Sequence, residues 1–160
     1  MKSYRFEAIG ILRTPYTIIQ DMPIQPTGAD GVRGSLIIES AYVPGIKDLD
    51  GFSHIILLYV FHQAGAPQMT VIPFLDQQPH GVFATRAPKR PNPIGLSVVR
   101  LISIEENVLT LENVDMLDGS PVIDIKPYVP AFDQPGKVRT GWLSDSGQEV
   151  ETKRSDDRFK

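Results

Sequence analysis

Three cations on a stiffened loop are the first residues in this sequence that could do chemistry. Arg86, Lys89 and Arg90 alternate with Pro88, Pro91 and Pro93. Each proline fixes its own φ and drives the preceding residue towards an extended conformation. Such a loop has little freedom left to lose on binding, so its charges form a preorganised clamp for an anion or a charged cofactor. The plainer alternative is a proline-rich connection whose charges face water. His62-Gln63 is a second candidate, placed where polar residues replace the long apolar run that ends at Phe61. His54 opens that run and reads as a core or capping histidine, and His80 beside Pro79 reads as a turn residue. Three scattered histidines without an acidic cluster do not make a metal site, so none is expected. Asp124 and Lys126 point the same way on an alternating strand, which suits an exposed ion pair.

The elements that must position these residues are mostly strands. Arg5–Leu12 reads as the first, with Phe6, Ala8 and Gly10 on one face and Gly10 marking a bend or a close backbone approach. An irregular stretch from Asp21 to Val32 carries two prolines and two glycines, and its length marks it as functional or mobile. Gly34–Glu39 is a second strand, Tyr42–Leu49 a turn-and-helix segment, and His54–Phe61 the most apolar and therefore central strand. Met69–Leu75 is a strand interrupted by Pro73. The apolar runs Val82–Ala84 and Ile94–Leu101 flank the clamp as strands. Leu96–Ile104 and Val108–Val114 form a hairpin around Glu105-Glu106-Asn107. Asp118-Gly119-Ser120-Pro121 is a turn before a last strand, Val122–Lys126. Short strands punctuated by Gly and Pro, with almost no helical periodicity, indicate a mainly β protein: one antiparallel β-barrel domain with short helical segments and long loops. The expected division is residues 1–135 for the barrel and 136–160 for a carboxy-terminal extension, partly docked through Trp142 and with Arg158 and Phe159 available to close over a pocket.

Composition excludes several classes. The 160 residues are 41% apolar and 22% charged, which is ordinary for a soluble domain. There is no cysteine, hence no disulfide framework and no thiolate metal site. No apolar run has the length of a membrane span, and the amino terminus lacks the apolar core of a signal peptide, so a cytoplasmic protein is expected. With a net charge of −3 and a pI near 5.6, nucleic acid would have to be met by a local patch.

Several blocks carry a family resemblance. Gly81-Val-Phe-Ala-Thr-Arg86, Arg90-Pro-Asn-Pro-Ile-Gly95, Asp118-Gly-Ser-Pro121 and Asp124-Ile-Lys-Pro-Tyr128 resemble the signature blocks of one family, in order. Gly10–Tyr16, Phe52-Ser-His54 and Phe61-His-Gln63 extend the match. The family is that of the S-adenosylmethionine-dependent tRNA methyltransferases acting on N6-threonylcarbamoyladenosine beside the anticodon, also called TsaA- or VirR-like β-barrels. The resemblance implies a homodimeric methyltransferase with tRNA as partner. It implies a cofactor site at Pro23, Ile24, Gln25, His62, Gln63, Arg86, Leu96, Asp118, Gly119 and Ser120. Longer members add a carboxy-terminal domain beyond these blocks, so the docking of tRNA is where this chain is expected to differ.

Chemistry suggests roles for these positions. Arg86 suits the cofactor carboxylate through its fork, or alternatively a structural pair with Asp118 or Asp124. Those aspartates suit the ammonium or the ribose hydroxyls, and Leu96 the adenine face. The N6 nitrogen must lose a proton as it gains the methyl group; His62, Asp124 and the substrate's own carboxylate are the candidate acceptors. Lys89 and Arg90 suit the threonyl carboxylate or anticodon-loop phosphates. A non-catalytic barrel that binds S-adenosylmethionine or an anionic metabolite would use the same clamp, and a purely structural dimer module is a third possibility.

Overall fold

A computed structural model describes residues 2–20, 22–143 and 154–156. Six antiparallel strands close into a barrel in the order β1-β2-β7-β6-β3-β8. They are β1 (Gly10–Arg13), β2 (Arg33–Ile38), β3 (His54–Val60), β6 (Ile94–Glu105), β7 (Val108–Glu112) and β8 (Pro121–Pro127). A separate two-stranded ribbon joins β4 (Thr70–Val71) to β5 (His80–Gly81). The only α-helical turn among the described residues is Pro130–Asp133. This is the mainly β, single-barrel architecture that strand-sized apolar runs and the absence of a 3.6 period require.

Alternation builds the core. Along β3, Ile55, Leu57 and Tyr59 are buried while their neighbours are half-exposed. They pair with Val99, Ser97 and Gly95 of β6, which face the same interior. Leu12, Leu36, Leu109, Leu111 and Val122 complete the packing from the other strands. The interior is thus filled by branched side chains; β3 pairs with β6 and β8, and because the barrel is closed no strand is more central than another.

Two glycines serve close approach. A Cβ on Gly10 would lie 2.5 Å from the carbonyl oxygen of Ile37, so β1 can lie against β2 only with glycine there. A Cβ on Gly95 would lie 2.4 Å from the Tyr59 ring. The aromatic ring therefore lies across the bare backbone of β6, at the end of the barrel where the polar residues gather.

Local expectations differ from the fold at three places. The first strand begins at Gly10 rather than Arg5, which leaves Phe6 outside it and 68% exposed. Met69–Leu75 contributes only Thr70–Val71 to a strand, because Pro73 cannot continue a ladder. Val82–Ala84 is a 3-10 turn rather than a strand. Val82 packs with Val71 and Ala87 in a small second core while Phe83 points outward. Apolar content there reported burial, not extension. The Tyr42–Leu49 segment is also 3-10, over Ser40–Ile46 with Pro44 inside it. The β6–β7 hairpin is formed, with Glu106 at φ 55° in its two-residue loop.

Candidate active site at the barrel end

Strand ends and loops meet around a cavity of about 730 Å³. Tyr59 and Phe61 from the end of β3, Ile94–Leu96 from the start of β6 and Asp115–Leu117 from the β7–β8 connection form its floor and one wall. The early loop contributes Ile19 and Met22–Gln25, and the proline loop contributes Phe83–Pro88 and Arg90. Trp142, Leu143 and Ser155 come from the last part of the chain. The walls are largely apolar with a few polar groups, the pattern of small-molecule sites.

Of the ten cofactor positions expected from the sequence, eight line this cavity: Pro23, Ile24, Gln25, His62, Gln63, Arg86, Leu96 and Ser120. Residues from five separate stretches converge because three barrel strands and the early loop end at the same rim. Arg86 Nη1 donates to Gln25 Oε1 at 2.9 Å, which ties the proline loop to the early loop. Neither Asp118 nor Asp124 takes the guanidinium in an ion pair among those the described residues form. His62 Nδ1 lies 3.3 Å from Ser120 Oγ, and the site of a Cβ on Gly119 lies 4.0 Å from His62 Nε2. At φ 77°, Gly119 has the left-handed conformation the Asp-Gly turn predicts.

Four expected residues stand outside the lining. Asp118 accepts the backbone N–H of Thr14 at 3.0 Å and pairs with Arg13 at 3.5 Å. It locks the β7–β8 connection to the end of β1. Gly119 bonds the carbonyl of Leu12 at 2.9 Å behind the same turn. Asp124 sits opposite Leu58 on the outer face of β8 and pairs with Lys126 at 2.7 Å. The β-bulge at Ile123, between the Tyr59–Val122 and Leu58–Asp124 pairs, turns it to the far side of the wall from the cavity. Lys89 lies on the loop but not in the lining. Arg90 does line the cavity, yet its Nη1 donates to the carbonyls of Thr85 at 3.1 Å and Ala87 at 3.2 Å. It holds the loop's shape, with its guanidinium 6.0 Å from the centroid of the Phe83 ring. No group of His, Asp and Glu that could hold a metal ion occurs among the described residues.

The sequence reading missed the most unusual group in the cavity. Asp115 is only 8% exposed and accepts a hydrogen bond from Ser97 Oγ at 2.8 Å. Ser97 Oγ in turn lies 3.3 Å from Tyr59 Oη. A serine hydroxyl has one hydrogen, and Ser97 gives it to Asp115, so Tyr59 must donate to Ser97. Burial pushes the Asp115 carboxyl up to about 7, against the opposing effects of the Ser97 bond and the Arg86 charge. Burial and the neighbouring Asp115 also hold the Tyr59 phenol far above its ordinary range. The only sequence signal for Asp115 was a lone aspartate between Val114 and Met116, which reads as a strand end.

Trp142 closes one side of the site. Its indole N–H donates to the carbonyl of Ala84 at 2.9 Å, and its ring stacks on His80 at 4.5 Å between centroids and 18° between planes. His80 is fixed from its other side by Asp76, 2.7 Å away. Further along, Ser155 bonds the carbonyls of Met22 and Ile19, and Arg154 bridges to Pro23. Arg158 and Phe159, expected to close over a pocket, lie outside the described residues.

Residues 11–134 match the family described as the tRNA-methyltransferase O N-terminal domain. The chain belongs to that family. A probable S-adenosyl-L-methionine-binding protein of Pyrococcus abyssi is 47% identical over 96% of this chain and 84% of its own length. The tRNA (adenine(37)-N6)-methyltransferase of Escherichia coli is 40% identical over 81% of this chain and 60% of its own. Among solved structures, TrmO from Pseudomonas aeruginosa superposes with a TM-score of 0.74 at 39% identity, covering 88% of this chain and 63% of that one. The chain thus spans about three fifths of the length of these Escherichia and Pseudomonas relatives and most of the Pyrococcus relative.

Proposed function

We propose that this protein transfers a methyl group from S-adenosylmethionine to tRNA, at N6 of threonylcarbamoyladenosine next to the anticodon. The observation that carries this reading is the barrel-end cavity, built mostly from the stretch that matches the family and lined by apolar walls, two arginines and one buried carboxyl. S-adenosylmethionine suits that residue set. Its volume lies well within about 730 Å³, its adenine and methionine chain suit the apolar walls, and its carboxylate suits Arg86. When bound, it supplies an electrophilic methyl group on a positively charged sulfur.

The chain's own residues then bind, orient and exclude water. Arg86, steadied by Gln25, anchors a carboxylate. Leu96 and Phe61 offer apolar faces, His62 is held at the rim by Ser120, and Trp142 closes one side against water. Phe83 is 75% exposed at the rim beside Arg90, a surface suited to a base splayed from its stack. Lys89 adds a cation near the mouth for phosphate or the threonyl carboxylate. A homodimer and a cytoplasmic location belong to the same reading. The first is supported by exposed Phe6 and Phe132, the second by a tRNA substrate; no helix among the described residues is long and apolar enough to cross a membrane.

A second reading, a barrel that binds S-adenosylmethionine without transferring its methyl group, is favoured by the binding-protein name of the Pyrococcus relative, which this chain covers most fully of the three. Nucleoside mass analysis of tRNA from cells with and without the protein separates the two. Loss of the methylated threonylcarbamoyladenosine peak, and its return with purified protein and cofactor, is the expected result. An unchanged peak together with measurable cofactor binding leaves the second reading standing.

A further inference from the structure

Proton removal is the unsolved step of the proposed reaction. The N6 nitrogen of a carbamoylated adenosine is conjugated to the ureido carbonyl, and its lone pair becomes nucleophilic only as its proton leaves. Asp124, one expected acceptor, is on the outer face and paired with Lys126. His62 stands at the rim with Ser120. The cavity floor holds a carboxyl that no binding role has yet claimed, joined through Ser97 to Tyr59.

We propose that Asp115 is the catalytic base: its carboxylate, aimed by the Tyr59–Ser97 relay, accepts the proton from N6 of the substrate. This rests on the methyltransferase reading above. As the N6–methyl bond forms and the methyl–sulfur bond breaks, the electron pair of the broken bond stays on sulfur. The N6 proton passes to Asp115, from which water removes it after product leaves. Charge balances, since a cationic sulfur donor and a carboxylate give a neutral thioether and a carboxylic acid.

Three features fit this role. Asp115 lines the cavity while only 8% exposed, so it meets the substrate away from bulk water. Its orientation is fixed by a donor that is itself fixed: Ser97 is 1% exposed and takes its own hydrogen bond from Tyr59, whose ring is seated on Gly95. Its affinity for protons is matched to neutral pH, where a base is half ionised and still strong enough to take a proton. The groups facing it are accounted for. Tyr59 stays neutral and donates, Arg86 favours the ionised form, and the phenol of Tyr16 is raised by burial and, to a lesser degree, by Asp115. His62 shares the cavity.

The test uses the full chain with S-adenosylmethionine and tRNA carrying threonylcarbamoyladenosine. Asp115→Asn keeps the shape and can still accept from Ser97, so cofactor affinity by calorimetry should stay within about threefold, while single-turnover methyl transfer falls by about 10²–10⁴-fold. The wild-type rate should rise with pH through neutrality, where it is half-maximal, to a plateau on the alkaline side. Ser97→Ala, which removes the donor that favours the carboxylate, should move that limb to higher pH. An imidazole also accepts protons near neutrality, so His62→Gln is the control: the limb should persist whatever its absolute rate. Independently of turnover, infrared difference spectra should show a protonated-carboxyl band that fades through neutral pH and is missing from Asp115→Asn. Near-wild-type transfer by Asp115→Asn overturns the proposal. So does weakened cofactor binding with an intact saturated rate, which would make Asp115 a counter-ion for the cofactor. Absence of transfer by the wild type, with cofactor still bound, instead fails the methyltransferase reading itself and takes the base with it.

Discussion

Arg86 stands at an exposed rim of the cavity. Its bond to Gln25 joins two loops, but an exposed loop-to-loop contact contributes little to global stability. Arg86→Ala should therefore leave the melting temperature nearly unchanged while weakening S-adenosylmethionine binding by about 1.5–3 kcal/mol, the range for hydrogen bonds to charged groups. Calorimetry at wild-type affinity, or a protein that no longer folds, would assign Arg86 to structure alone. Arg86 was legible because three cations among prolines are conspicuous. Asp115 was not, because nothing in its neighbours announces that strand pairing will bury it beneath Tyr59.

The proline loop and the Trp142 segment are the elements on which the cavity mouth depends. The sequence treated Lys89 and Arg90 as a pair, whereas the fold separates them. Arg90 is consumed by the carbonyls of Thr85 and Ala87, and Lys89 is outside the lining. Lys89→Ala should accordingly spare cofactor affinity and reduce the salt slope of tRNA binding by about 1. Arg90→Ala should loosen the loop, weakening cofactor and tRNA together; equal effects of the two substitutions on cofactor affinity would contradict this division. Trp142 is the sole tryptophan, so its fluorescence reports docking directly. Stacked on His80 and bonded to Ala84, it should emit to the blue of free indole, shift red on unfolding, and respond to cofactor. Solvent-like emission from the native protein would exclude the docked arrangement.

Across the whole molecule, Asp115 sets a pH dependence of stability. Its carboxyl is raised from 3.8 to about 7 in the fold, so between those values the native state binds more protons than the unfolded chain. Stability then falls as pH rises through that window and stays low above it. The loss is on the order of 2–4 kcal/mol at full development. Asp76 acts in the opposite sense. The His80 bond and two backbone N–H groups lower its carboxyl, so what it contributes is present above the unfolded value and lost as acid protonates it. Urea unfolding from pH 4 to 8 should show the decline, and Asp115→Asn should flatten it and be the more stable protein at pH 8. A variant whose curve parallels the wild type would mean that Asp115 is ionised throughout.

Sequence alone determined the barrel, and the family resemblance named eight of the residues that line its cavity. Short runs with two-residue alternation can bury one face only by pairing in a sheet, and Gly and Pro fix where those runs must turn. The stretches around Gln25, His62, Arg86 and Ser120 belong to loops that such a barrel gathers at its ends. Tertiary structure decided which side chains of those stretches face inward. Asp124 and Asp118 are outside because strand register and the Thr14 contact turn them away, and Val82–Ala84 coils because a small core takes Val82 without a partner strand. Asp115 acquires its chemistry only when β3, β6 and the β7–β8 connection are packed together, since the cost of desolvating a carboxylate exists nowhere in the unfolded chain.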